Sequence, residues 1–112
     1  MEFKGIPNYP GEVKGTLVKD IENIDKVKNP VLYVEDFLIE DTLYIRKLKG
    51  LIIKRRLLLC HAAILAREFE VPSLVGVDMD DVPEGTKIIL KVPREFSKDG
   101  KIVLGKVIVS SD

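Results

Sequence analysis

One histidine, His61, and one cysteine, Cys60, stand side by side in this sequence, so any imidazole-dependent chemistry must pass through His61. An imidazole is partly neutral near neutral pH and can attack an electrophile such as phosphorus. If a helix starts here, its unpaired N–H groups and positive dipole end would stabilise a phosphoryl group held on His61. The small Ala62 and Ala63 that follow would let a partner's substrate come close. A lone histidine set on a helix among apolar neighbours could equally have no role, because one imidazole carries little specificity. Cys60 reads as a small packed side chain, since adjacency in sequence does not make a catalytic dyad. One thiol cannot form an internal disulfide, and one Cys with one His cannot complete a zinc site.

The charged residues give a second set of candidates. Lys54, Arg55 and Arg56 form a basic cluster shortly before His61; it suits holding a phosphate or guiding a nucleotide-bearing partner, and equally suits a solvated strand end. Arg67 reads as a surface or interdomain ion-pair residue. Asp78, Asp80 and Asp81 lack the spacing and glycine of a calcium loop and read as a polar turn. The chain carries 18 Lys plus Arg against 18 Asp plus Glu, which excludes a globally basic nucleic-acid binder and an acidic tail. The balance is uneven along the chain: residues 42–67 sum to +7 and the remainder to −7, with His61 in the positive part. No apolar run reaches the roughly 18 residues that a membrane span needs. The start, Met1-Glu2-Phe3-Lys4, has no apolar signal core, so a cytoplasmic protein is expected. The lack of glutamine and the Lys/Glu-rich surface lean towards a thermophilic source.

The elements that must position these residues follow from periodicity. A length of 112 residues fits one domain, 1–112. Residues 1–10, with Gly5, Pro7 and Pro10, read as an irregular lead-in. Strands are expected at 12–19 and 87–92 by alternation, and at 31–34, 51–53 and 73–77 as short apolar runs. Another alternating strand is expected at 101–109, beyond a loop with Asp99-Gly100. Residues 20–29 suit a short helix or a structured loop ended by Pro30, and 39–48 a weak helix whose β-branched residues count against it. Residues 57–69 read as one helix with Leu58, Ala62, Leu65 and Phe69 on its buried stripe. No Ser, Thr, Asp or Asn between Lys54 and Cys60 marks where it starts. Strands at both ends of an α/β centre are the expected arrangement.

The string Gly50-Leu51-Ile52-Ile53-Lys54-Arg55, then Cys60-His61-Ala62-Ala63-Ile64, Ala66-Arg67-Glu68 and Pro72-Ser73-Leu74-Val75-Gly76 resembles one family. It is similar to the phosphohistidine, or mobile, swivelling domain of phosphoenolpyruvate-utilising enzymes, and the Cys-His pair is most similar to the phosphoenolpyruvate synthase branch. The resemblance is strongest over residues 50–76. It implies an α/β fold, a single β/β/α swivelling phosphohistidine domain. It further implies that His61 is the phosphoryl acceptor, shuttling phosphate between an ATP-linked site and a phosphoenolpyruvate/pyruvate-linked site on partner domains or subunits. The phosphate-supporting residues would be Cys60, Ala62, Ala63, Arg55 and Arg56. Magnesium and ATP or phosphoenolpyruvate would come with the partners, no cofactor being bound by this domain itself, and neither nucleic acid nor membrane is implied as a partner. Such a chain is a component of a dikinase-type phosphotransferase and not a complete enzyme. Arg56 and Leu57 stand where the family has two glycines, Leu59 where it has a threonine, and Glu70 where it has a glycine. Losing the glycines and the hydroxyl removes backbone freedom and a donor. They also motivate the alternative, a non-catalytic interaction or regulatory module that keeps the fold without phosphotransfer.

Overall fold

The computed structural model describes residues 1–110. Seven strands close into a barrel: β1 (Glu2–Tyr9), β2 (Gly11–Val18), β3 (Pro30–Val34), β4 (Gly50–Ile53), β5 (Ser73–Val75), β6 (Lys87–Val92) and β9 (Gly105–Val109). Their order round the barrel is β1-β5-β4-β3-β2-β6-β9. The short strands β7 (Ser97–Lys98) and β8 (Lys101–Ile102) form a separate hairpin. Strands β2, β3, β4 and β5 run parallel, and antiparallel β1, β9 and β6 complete the circle.

Parallel neighbours need crossovers, and here there are three. Two are 3-10 helices, Ile21–Lys26 between β2 and β3 and Ile39–Lys47 between β3 and β4. The third, between β4 and β5, holds the α-helix α1 (His61–Glu68). Alternation along the strands divides the apolar residues between two cores. Leu17, Val31, Tyr33, Ile52, Leu74, Leu90 and Val107 belong to the barrel interior. Val18, Leu32, Leu51, Ile53 and Val75 pack outward beneath the helices, against Ile24, Ile45, Ala62, Ala63 and Ala66. The run Leu51-Ile52-Ile53 is unbroken because β4 is covered on both faces.

This architecture corrects the α/β, β/β/α expectation. The protein is mostly β, and α1 is its one α-helix among the described residues. The crossovers at 21–26 and 39–47 are rich in β-branched and polar residues and wind as 3-10 helices, although 39–47 is no shorter than α1. The expected irregular lead-in is also corrected, since residues 2–9 form a full strand between β5 and β9. Pro7 is accommodated at a register shift between Pro7 and Tyr9, where a missing N–H costs little. The expected strand over 101–109 is divided: Asp99 and Gly100, at φ of 53° and 75°, turn the β7–β8 hairpin, and only Gly105–Val109 joins the barrel.

Glu84 ties the loop before β6 to the crossover after β2. Its Oε2 accepts from the Lys19 and Asp20 backbone N–H groups at 2.7 and 3.0 Å, and its Oε1 accepts from Asn23 Nδ2 at 2.9 Å. The Asp20 N–H first, then the Lys19 N–H, hold its carboxyl below the usual carboxylate range. A lowered carboxyl pKa adds stability above its unfolded value, and that stability is lost as pH falls through the folded value. Glu84→Gln is therefore expected to lower the urea midpoint at pH 7 and to shrink the difference between midpoints at pH 7 and pH 3.

Candidate functional site

The helix α1 lies in the crossover leaving β4, so it runs back antiparallel to the strands. Its first residue, His61, therefore sits at the end of the barrel where β3 and β4 finish and Glu35, Asp36, Lys54, Arg55 and Arg56 follow. Ligands of parallel sheets are commonly bound at this carboxyl end. His61 is exposed there, while Ala62, Ala63 and Ala66 behind it are fully buried. Alanines at positions 62, 63 and 66 share one helix face, and their small size lets the backbone lie close on β4, β5 and β1. Ala62 and Ala63 thus act as the seat of the helix and are not open to a substrate.

The expected helix over 57–69 is corrected at its start and on its stripe. It begins at His61, and Leu57, Leu58 and Leu59 precede it as an exposed segment, with Leu59 75% accessible. Leu58 and Phe69, expected inside, are 41% and 37% accessible. The start is fixed by Asp36, a residue that the sequence reading missed. Its Oδ1 accepts from the Ala62 N–H at 2.8 Å and from the Phe37 N–H at 2.8 Å, capping the helix from a distant segment. No local pattern signals a cap contributed from 26 residues away. The other oxygen, Oδ2, lies 3.5 Å from the Arg55 guanidinium. The Cys60 thiol is buried, and burial pushes its pKa up; the Ala63 N–H opposes this, and the neighbouring Asp36 carboxylate adds to the rise. That keeps it a protonated packing group.

Arg55 is thus partly committed to Asp36, and its carbonyl accepts from Gly76 N–H at 3.0 Å. Arg56 is exposed, and its stem crosses Gly76, where an added Cβ would lie 2.6 Å from Cγ. Lys54 is engaged elsewhere, 2.5 Å from Asp80 Oδ2. Asp80 also accepts from the Tyr33 hydroxyl at 2.7 Å, and that hydroxyl accepts from the Met79 N–H at 3.0 Å. Burial first, then Asp80, push the Tyr33 hydroxyl pKa up, so it stays protonated. Asp80 is a strut fixing the 78–82 turn to the barrel, and Asp78 Oδ1 accepts from the Asp80 N–H at 3.0 Å within that turn.

Arg67 is half-buried and braces the fold through hydrogen bonds where a surface or interdomain ion pair was expected. It donates to Asn8 Oδ1 and, at 2.8 Å, to the Leu58 carbonyl. Asn8 is 3% accessible, and its Nδ2 donates to the Ala63 carbonyl at 3.0 Å and to Ser73 Oγ at 2.8 Å. This network joins β1, β5, α1 and the leucine segment leading to His61. Arg67→Ala leaves the buried amide oxygen of Asn8 without its donor, and is expected to cost about 1–3 kcal/mol in urea unfolding. Faster amide exchange at Leu59 and Cys60 should accompany it, because the Leu58 carbonyl is released.

Residues 26–94 match the family described as the mobile domain of PEP-utilising enzymes. The chain belongs to that family. Mobile domains of these enzymes are phosphoryl-carrier domains that work with partner domains, and the match spans β3, β4, α1, β5 and β6 together with His61. The synthase-like character of the Cys-His pair is not distinguished by this match. No curated protein matches the chain significantly. Among solved structures, a chain of aconitase X from Thermococcus kodakaraensis, in its holo form, is similar at 15% identity and a TM-score of 0.63, over 99% of both chains. A diol dehydratase-reactivating factor in nucleotide-free form is similar at 12% identity and a TM-score of 0.65. There the likeness covers 99% of this chain and 27% of the other. At these identities the likeness concerns the fold alone. It bears out the β-rich barrel over the β/β/α arrangement, and this fold spans nearly a whole chain in one case and part of a longer chain in the other.

Proposed function

We propose that His61 accepts a phosphoryl group and passes it between an ATP-linked site and a phosphoenolpyruvate/pyruvate-linked site on partner domains, in the same chain or in trans. The observation that carries this reading is the exposed imidazole on the first residue of α1, within a chain of the mobile-domain family. In the forward step a ring nitrogen bonds to phosphorus as the donor's P–O bond breaks, and the ring proton leaves to the partner site or solvent. Delivery reverses this, with the P–N bond breaking as the acceptor oxygen bonds to phosphorus.

The chain's own contribution is positional. The alanine seat fixes the helix on the barrel, and Arg55 and Arg56 supply positive charge where the family's glycines and threonine are replaced. Leu57, Leu59 and Ile64, each exposed, give a partner domain apolar surface beside the imidazole. Among the described residues no group of three or more His, Cys, Asp or Glu could hold a metal ion, and in this reading magnesium enters with the nucleotide on the partner. A cytoplasmic setting belongs to the same reading; no helix among the described residues is long and apolar enough to cross a membrane. The exposed Leu59, in place of a hydroxyl, favours a second reading, a binding module without transfer.

Incubation with ATP or phosphoenolpyruvate and competent catalytic domains tests the first reading. An acid-labile adduct on the protein is expected. An unmodified protein beside a carrier domain that those same partners phosphorylate would favour the binding module.

A further inference from the structure

The amide end of α1 is the natural resting place for a phosphoryl group beside His61, and in this protein a carboxylate already occupies it. Asp36 bonds the N–H of Ala62, the residue after His61, and lies against the thiol of Cys60, the residue before it. The same carboxylate holds Arg55 at 3.5 Å. We infer that Asp36 is a built-in anion standing in for the phosphoryl group at the helix end: it bonds the amide there while the imidazole is free, keeps Arg55 paired, and repels a phosphoryl group once bound, so that the group is held for release and not for storage. Arg55 is the exchangeable partner, half exposed and held by a single long ion pair, free to turn from Asp36 to the phosphoryl oxygens. Asp36 is thus a positioning residue for the transfer step, and the inference rests on the carrier reading of His61.

Phosphoramidate, a small anionic donor, tests the local field without any partner, because it can phosphorylate an accessible imidazole directly. A ring nitrogen bonds to phosphorus as the P–N bond of the donor breaks, and the leaving nitrogen takes up the ring proton and departs as ammonia. In the later loss, a water oxygen bonds to phosphorus, the imidazole P–N bond breaks, inorganic phosphate leaves and the ring regains its proton. Both rates are read by intact mass on wild type, Asp36→Asn, Arg55→Gln and His61→Ala. Asparagine keeps an acceptor oxygen for the Ala62 N–H, so the cap survives while the charge goes. Asp36→Asn is expected to gain the adduct about three- to tenfold faster and lose it about three- to tenfold more slowly. Arg55→Gln should shift both rates the opposite way, and His61→Ala should take up nothing. Rates for a folded Asp36→Asn within twofold of wild type would overturn the inference. Should that variant not fold, unchanged rates in Arg55→Gln would do the same, as would a wild-type protein that gains no adduct. Failure of partner domains to phosphorylate a wild type that responds to phosphoramidate as expected would sink the carrier reading and leave the electrostatic role of Asp36 standing.

Discussion

His61→Ala is expected to abolish incorporation of acid-labile phosphate from ATP or phosphoenolpyruvate in the presence of competent partner domains, with the fold intact. The loss should be complete because the sequence contains no second histidine. The buried Cys60 thiol, pushed towards its protonated form, cannot take over as nucleophile. Stability should change by no more than about 0.5 kcal/mol, since an exposed side chain away from the core is being shortened. The two measurements together are decisive. Residual labile phosphate in a folded His61→Ala protein would remove His61 from the transfer step. Loss of phosphate together with loss of the fold would mean that the imidazole supports the structure instead. The Ala62, Ala63 and Ala66 seat argues against the second outcome, because those three side chains and not His61 are buried against the barrel.

The largest effect on the fold is expected from Gly15→Ala. Gly15 lies in β2 opposite Ile88, and a Cβ built there would sit 2.1 Å from the Asn29 carbonyl oxygen and 3.0 Å from Val31 Cγ2. The obstructing atom is backbone, and it also accepts from the Thr16 N–H at 3.2 Å. Moving it breaks the bond that starts the parallel β2–β3 ladder. Asn29 cannot yield easily, being held at φ 51° with its side chain donating to the Lys14 carbonyl at 3.3 Å. We expect a cost of about 3 kcal/mol, read as a lower urea midpoint. Gly85→Ala is the contrast. Gly85 has φ 93° and open space around it, so it should lose only the roughly 1–2 kcal/mol of left-handed backbone strain. Equal effects at the two positions would show that β2 and β3 yield to the added methyl, so that their close approach does not set the cost at Gly15.

Much of the strand content was legible in the sequence because burial on two faces and alternation leave a local trace. The run Leu51-Ile52-Ile53 announced β4, and the alternating Lys87–Val92 announced β6. The first strand was not legible. Gly5, Pro7 and Pro10 read as loop by local propensity, yet pairing with β5 and β9 and a bulge at Pro7 outweigh that propensity. The class was misjudged for a related reason. Local patterns at 20–29 and 39–48 suit helices, yet both crossovers wind as 3-10 helices, and the strands at the chain ends close the barrel through pairings that no local pattern shows.

The sequence by itself determined the single imidazole, the positive stretch around it, the alternation that divides the apolar residues between two cores, and the family string over 50–76. All of these are properties of residue type and spacing. Only the tertiary structure decided where α1 begins, which side chains of 57–69 are buried, and what occupies the helix end. Those outcomes depend on contacts between residues far apart in the chain: Asp36 with Ala62, Arg67 with Asn8, and Asn8 with Ala63 and Ser73. A cap or a brace supplied across the fold leaves no periodicity in the segment it acts on. The site of His61 was therefore readable as a residue, and its electrostatic setting was not.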